Sequence, residues 1–236
     1  MQGKQIVLAG GSGGLGSATA ELLSREGAQL IVTYRSNAER AEPLSSIATV
    51  VQADITQKAE RRRLLDAARD LYGLVVFAGD PSRVKDPSAI EEAMTASHAT
   101  NYLGPILLAR EAAERMKESG TQGAIVLFST MQAMSLFPGS TAYAAPKAAL
   151  LHAAQILAKE LRGPANVRVN VISPGVTAAG MAEASIASGK YNRYIEEGIV
   201  PRFGKAIDIA RTVRFFLEPD NYVTGQAITV DGGLTL

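Results

Sequence analysis

The stretch "QIVLAGGSGGLG", residues 5–16, reads as a short apolar run that ends in a glycine turn. Two glycine spacings fit it. Gly11, Gly13 and Gly16 make G-x-G-x-x-G, while Gly10, Gly14 and Gly16 make G-x-x-x-G-x-G. Both carry the same chemistry. Glycine turns with positive φ and lets a phosphate approach the backbone. A helix opening at the turn offers free N–H groups and a positive end to a pyrophosphate. Ser12 and Leu15 lie within the same turn and join the candidate contact set. A glycine motif alone is weak evidence, and its weight comes from what surrounds it.

Outward from the turn, strand and helix patterns alternate. Residues 5–9, 29–34, 48–54, 74–79, 123–129, 167–173 and 226–232 read as strands. Most are continuous apolar runs, as expected of strands covered on both faces. Helical patterns fill 15–26, 57–71, 89–118, 142–162 and 205–217. Such alternation implies parallel strands joined by right-handed crossovers. The expected fold class is α/β: a doubly wound Rossmann fold of about seven parallel strands with helices on both faces. No linker or repeat divides the chain, so residues 1–236 read as a single nucleotide-binding domain. Residues 176–204 follow the sixth strand without a strand signal of their own. In this class ligands lie beyond the carboxyl ends of strands, so that excursion is a candidate lid.

Composition narrows the function. Lysine and arginine number 24 against 23 acidic residues, for a net charge of +1. That gives no electrostatic case for nucleic acid or an anionic membrane. The one basic run, Arg61-Arg62-Arg63, lies in a polar helical stretch and reads as a solvated face. With no cysteine, disulfides, thiolate nucleophiles and Cys-ligated metals are excluded. Two histidines, His98 and His152, are too few for a histidine-based metal site, and no metal is expected. The first residues run straight into a strand and no stretch is long enough to span a bilayer, so the expected setting is cytoplasmic.

The second strand ends in "VTYRSN". Sites for NAD place an acid about twenty residues beyond the glycines to accept from the ribose 2′-hydroxyl. Here Tyr34 stands in that place, Arg35 follows, and the next acid is Glu39. An arginine fork suits a 2′-phosphate, which favours NADP(H).

A second constellation lies at "YAAPK", residues 143–147. Residues four apart share a helix face, so Tyr143 and Lys147 are either a plain surface pair or a tyrosine acid beside a tuning amine. Pro146 between them suits a helix start and would break a helix deeper in. Thr130 lies thirteen residues before Tyr143, at the end of the fifth strand. Both then face the sheet edge to which the glycine turn delivers its ligand.

Taken together these motifs resemble the short-chain dehydrogenase/reductase family, single-domain type, nearly end to end. The matching residues are Gly10, Gly14 and Gly16; Asp54 after the third strand; Ala78-Gly79 after the fourth; "NYLG" at 101–104; Tyr143 and Lys147; "SPG" at 173–175; and "TGQAITVDGG" at 224–233. The pattern is most similar to 3-oxoacyl-thioester (acyl carrier protein) reductases and related ketoreductases. The resemblance implies NADPH-dependent reduction of a small or thioester-linked ketone. It implies Tyr143 as proton donor, Lys147 as the group that lowers the tyrosine pKa and holds the nicotinamide ribose, and Thr130 as partner of the carbonyl oxygen. It implies that Asn101 anchors a water linking Lys147 to solvent, and that Asp54 meets the adenine. Pro174, Gly175 and Thr177 would line the nicotinamide pocket. Thr130 stands where Ser is usual, Phe77 where Asn precedes Ala-Gly, and Ala9 where Thr pins the glycine turn. Those departures motivate one alternative, a nucleotide-binding sensor or scaffold without turnover. An NAD-dependent alcohol dehydrogenase is another. The resemblance also implies a homotetramer (or dimer) paired through 89–118, 142–162 and 226–236. The start of the lid carries few charges, which suits a small or apolar ketone or a thioester arm, and Lys190 and Arg193 read as solvated, the alternative being that they meet an acidic carrier.

Overall fold

The computed structural model describes residues 1–84 and 86–236. In chain order the elements are β1 (Gln5–Ala9), α1 (Gly14–Arg25), β2 (Gln29–Tyr34), α2 (Ala38–Ala41), β3 (Thr49–Gln52), α3 (Lys58–Asp66), β4 (Leu71–Val76), α4 (Ile90–His98), α5 (Gly104–Glu118), β5 (Ala124–Phe128), α6 (Thr141–Glu160), β6 (Arg168–Pro174), α7 (Glu183–Ala187), α8 (Arg193–Glu196), α9 (Ala206–Leu217) and β7 (Ala227–Val230). The strands form one seven-stranded sheet in the order β3-β2-β1-β4-β5-β6-β7. Every pairing is parallel. The order reverses between β1 and β4, which opens a crevice at their carboxyl ends.

The apolar runs are continuous because alternate side chains feed two cores. Val7, Leu74, Ile125 and Leu127 face Leu64, Leu108, Leu150 and Leu157 of α3, α5 and α6. Ile6, Leu8, Val75 and Val126 face Leu23, Ile209 and Phe216 of α1 and α9. Truncating a wholly buried residue such as Ile125 to Ala costs about 2–5 kcal/mol, through lost transfer energy and the cavity left behind.

Two elements differ from the sequence pattern, and one agrees with it against local propensity. The helix expected over 57–71 ends at Asp66, and β4 begins at Leu71. Leu71 and Tyr72 are buried in the sheet, and Tyr72 donates from its hydroxyl to the Leu217 carbonyl at 2.7 Å. The run 89–118 is also not one regular helix. A π turn over Ala99–Leu103 separates α4 from α5. Pro105 has no N–H for the Asn101 carbonyl four residues back, and Gly104 donates to the Ala99 carbonyl instead. Finally, Pro146 sits inside α6 without ending it. Buried Leu150, Ala154 and Leu157 hold that helix to the sheet, and tertiary packing outweighs a local cost of about 3 kcal/mol. Among the described residues no helix is long and apolar enough to cross a membrane.

Candidate active site

The glycine turn lies over the carboxyl end of β1. Gly10 has φ +73°, and a side chain there would come within 2.7 Å of the Ala78 backbone. At Gly16 an added carbon would meet Gly11 at 2.5 Å, whereas at Gly13 it would find only ordinary contact at 3.5 Å. All three glycines of the second spacing, Gly10, Gly14 and Gly16, are thus required, whereas the first spacing contains the dispensable Gly13 beside Gly11, where an added carbon would meet Leu8 at 2.8 Å. Helix α1 begins at Gly14 with no side-chain cap and no acid in its first turn. Its leading N–H groups are left for an anion. Ala9 offers no hydroxyl to this turn. Thr33 of β2 does: its Oγ1 accepts from Gly10 N at 2.8 Å. Sequence reasoning missed Thr33 because the substitute comes from a neighbouring strand.

Beyond the turn a cleft of about 980 Å³ runs across the carboxyl ends of the strands. It is lined by Gly10, Ser12, Gly14, Leu15, Gly16 and Arg35. Asp54, Ala78, Gly79, Pro174, Gly175 and Thr177 continue the wall, and Thr130, Tyr143 and Lys147 complete it. Asn101 is the exception, being fully buried behind Gly79. Its Oδ1 accepts from Asp80 N at 3.0 Å, and its Nδ2 donates to the Asp80 carbonyl at 2.9 Å and Ser97 Oγ at 2.9 Å. The side chain therefore ties the end of β4 to the π turn. Only its carbonyl, left without a helix partner by Pro105, suits the water-holding role.

Where the cleft passes the end of β2, Arg35 is exposed, and Arg40 of α2 lines the same wall. A second arginine five residues on was legible in the sequence and was overlooked. Asp54 Oδ1 accepts from Thr56 N at 2.9 Å and Thr56 Oγ1 at 2.8 Å. The loop carrying it is fixed from below by Arg61, which corrects the reading of Arg61-Arg62-Arg63 as wholly solvated. Arg61 is buried. It makes a forked bond to Glu111 at 2.9–3.1 Å and donates to the Ile55 carbonyl at 2.9 Å. Arg62 and Arg63 are exposed. Phe77 supports the neighbouring sheet edge through its ring, 4.6 Å from that of Phe128.

At the centre, Thr130 ends the β5 extension in extended backbone, and its hydroxyl accepts from Gln132 N at 3.3 Å. Tyr143 is half-buried in the first turn of α6. Burial raises its pKa above 10.0, and the neighbouring Thr130 hydroxyl works against that rise. Lys147 is 2% exposed, and burial lowers its pKa to about 8. Its Nζ donates to the Phe128 carbonyl at 2.8 Å. Ser129, another residue sequence reasoning missed, holds the helix here by donating to the Lys147 carbonyl at 2.9 Å. The expectation that the ammonium lowers the tyrosine pKa meets a different balance in the ligand-free site, where desolvation dominates both groups.

The excursion over 176–204 closes at its base through a bridge between Thr177 and Gly204. Its backbone at Ala179–Gly180 lies directly on Gly14. Arg83, from the loop after β4, donates across the cleft to the Met181 carbonyl at 2.9 Å and Ser185 Oγ at 3.1 Å. Lys190, Tyr191, Arg193 and Tyr194 line the cleft as well, so Lys190 and Arg193 border the site as exposed residues.

A doubly wound parallel sheet with a glycine turn at its switch point defines a Rossmann-like dinucleotide-binding fold. Residues 9–235 match the family model described as enoyl-(acyl carrier protein) reductase. The chain is 35% identical to an uncharacterized oxidoreductase of Methylorubrum extorquens, over 99% of its own length and 98% of the relative's. It is 32% identical to an NADPH-dependent aldehyde reductase-like protein, chloroplastic, of Arabidopsis thaliana, covering 99% and 94%. It is 30% identical to a 3-oxoacyl-[acyl-carrier-protein] reductase of Rattus norvegicus, covering 99% and 98%. A short-chain type dehydrogenase/reductase from Mycobacterium ulcerans has the same fold, with TM-score 0.88 at 28% identity over 100% of this chain and 90% of that one. The chain belongs to the short-chain dehydrogenase/reductase family, a family of oxidoreductases.

Proposed function

We propose that this protein reduces a ketone or other carbonyl compound with NADPH. The observation that carries the reading is the meeting of Thr130, Tyr143 and Lys147 in one cleft with the glycine turn. The wall fits the cofactor by its chemistry. Uncapped N–H groups of α1 suit the pyrophosphate, and Arg35 and Arg40 suit a 2′-phosphate where no acid stands to select a free hydroxyl. Asp54 suits the adenine, and Pro174, Gly175 and Thr177 suit the nicotinamide side. The names of two relatives from Arabidopsis thaliana, an NADPH-dependent aldehyde reductase-like protein and NADPH-dependent aldehyde reductase 2, support the same choice.

When bound, the nicotinamide supplies the hydride. The chain's own residues manage the proton. Thr130 donates its hydroxyl hydrogen to the carbonyl oxygen and orients it. Tyr143, kept protonated by burial, donates its proton to that oxygen as charge develops there. Lys147 stabilises the phenolate left behind and holds the ribose. The Asn101 carbonyl holds a water through which the proton is restored. Replacement of Tyr143 by Phe is expected to lower turnover by at least about 10²–10⁴-fold while NADPH binding stays within about twofold. NADPH absorbance with a diketone, together with a fluorescence titration of the cofactor, measures both. Full activity in Tyr143→Phe sinks the assignment.

The protein is further proposed to assemble as a homotetramer. Leu103 and Leu107 beside α5 and Ile156 on α6 are exposed apolar residues on the helices expected to pair. Light scattering at micromolar concentration is expected to give a multiple of the 24.8 kDa chain, and a monomer mass overturns this.

A further inference from the structure

The lid end of the cleft carries charge that the cofactor does not use. The chain as a whole is nearly neutral, with 24 basic and 23 acidic residues. The cleft is not. Arg35, Arg40, Arg83, Lys147, Lys190 and Arg193 line it, and Asp54 is the acid among the lining residues. Arg35 and Arg40 belong to the adenine end, and Lys147 stands behind the tyrosine. Lys190 and Arg193 sit on the lid, each over a tyrosine ring. Lys190 Nζ is 5.4 Å from the centre of Tyr191, and the Arg193 guanidinium is 5.0 Å from that of Tyr194. The two rings stack 6.2 Å apart. A ring face positions a cation without cancelling its charge.

Acids do not cancel it either. Among the described residues neither Lys190 nor Arg193 takes part in an ion pair. Glu197 lies one turn beyond Arg193 and attracts it only through space. Asp80 and Glu183, on the neighbouring loops, are turned to backbone N–H groups of Ser82 and Gly180 at 2.7 and 3.0 Å. Arg83 is engaged with the lid. Asp80 and then Tyr191 stand close enough to Tyr143 to oppose its ionisation, so the lid tyrosine that carries Lys190 over its ring borders the reacting group.

Resting on the reductase reading above, the geometry points to a substrate that carries a carboxylate or phosphate, held by Lys190 and Arg193 while its carbonyl meets Thr130 and Tyr143. Phe137, Met181 and the faces of Tyr191 and Tyr194 flank the carbon chain between the two ends. Because both cations line the cleft itself, the occupant is a small molecule rather than a carrier protein docked outside it. The uncharged start of the lid, from which an apolar ketone or thioester arm was expected, lines the cleft at Ala179, Gly180, Met181 and Ala182, and the two cations add a charged end to it.

The test uses a series of oxo acids of increasing chain length, each paired with its neutral methyl ester, and a ketose phosphate paired with the free ketose. NADPH consumption gives kcat/KM for each. Wild type is expected to favour the anionic member of the best pair by about tenfold or more, mainly through KM. Added salt is expected to shrink that ratio. In the Lys190→Gln, Arg193→Gln double variant the ratio is expected to fall toward one. Which pair shows the preference separates carboxylate from phosphate. Equal rates for acid and ester, or a preference that survives in the double variant, overturn the anion site. So does a carrier-linked oxoacyl substrate preferred over all small ones and weakened in the double variant. A neutral diketone, with Tyr143→Phe as control, checks the reductase reading separately. If the diketone is reduced without any anion preference, only the anion site falls. If no carbonyl compound is reduced, calorimetry of oxo acid and ester on the NADP⁺ complex still decides. Equal or absent binding there overturns the site, and tighter binding of the acid upholds it.

Discussion

Arg61 and Lys147 are both buried, one beneath the Asp54 loop of the cleft and one at its centre, yet their surroundings differ. Arg61 has a carboxylate fork from Glu111 and a carbonyl from Ile55. Lys147 has one carbonyl, from Phe128, and no ion pair among the described residues. A buried charge without a partner is costly, and the cost shows as a pKa near 8 instead of 10.5. The first arrangement fixes a loop. The second leaves a buried amine without an ion pair, which the role proposed for Lys147 beside a developing phenolate would use. On that proposal, stability and chemistry ask opposite things of a buried cation along one cleft.

The strongest way to break this contrast is Lys147→Met. Turnover is expected to fall by about 10³-fold or more, since proton donation by Tyr143 loses its electrostatic support. The cofactor-free protein is expected to gain stability all the same. Lys147 binds its proton less readily folded than unfolded, so lowering the pH from about 10.5 through about 8 penalises the folded wild type. Above that window the lysine is neutral in both states and the penalty is absent. Below it the penalty levels off at about 3 kcal/mol, from the size of the shift. Urea melts of wild type and variant across pH measure it. A variant that is less stable than wild type at pH 7 breaks the contrast.

Arg61→Met is expected to do the reverse. Removing one partner of a buried pair leaves Glu111 and the Ile55 carbonyl unsatisfied, at a cost of about 2–4 kcal/mol, discounted because Glu111 is partly exposed. Cofactor affinity weakens with the Asp54 loop, while kcat at saturating NADPH holds within a few-fold. A large fall in kcat instead would place Arg61 in the chemistry. The smallest effect is expected at the exposed end. Arg35→Ala should weaken NADPH by about 1.5–3 kcal/mol and leave NADH nearly unchanged, as a titration of each will show. Equal losses remove the 2′-phosphate role.

Much of this was legible in the chain. The glycine turn, Tyr143, Lys147 and Thr130 each sit at a strand end or helix start, and strand–helix alternation alone brings such positions to one edge. The lining of the cleft by every expected residue except Asn101 follows from that. What escaped reading came from contacts between distant segments. Thr33 replaces the hydroxyl that Ala9 lacks, and nothing in the local sequence of either residue says so. Arg61 looks like its exposed neighbours Arg62 and Arg63, and only the position of Glu111 on α5 separates them. The lid was found as an excursion and its start meets the cleft as expected, but that Lys190 and Arg193 further along line it too escaped reading, because irregular backbone has no period from which to assign a face.

The sequence by itself determined the parallel doubly wound sheet, the glycine turn and the tyrosine–lysine pair, since hydrophobic period and local spacing carry those directly. Tertiary structure decided the rest. It settled which glycine spacing is required, through close approach to Ala78 and Gly11. It kept α6 intact past Pro146 through burial of its apolar face. It set the protonation balance at Tyr143 and Lys147, because desolvation depends on everything packed around a group and on nothing in its immediate sequence.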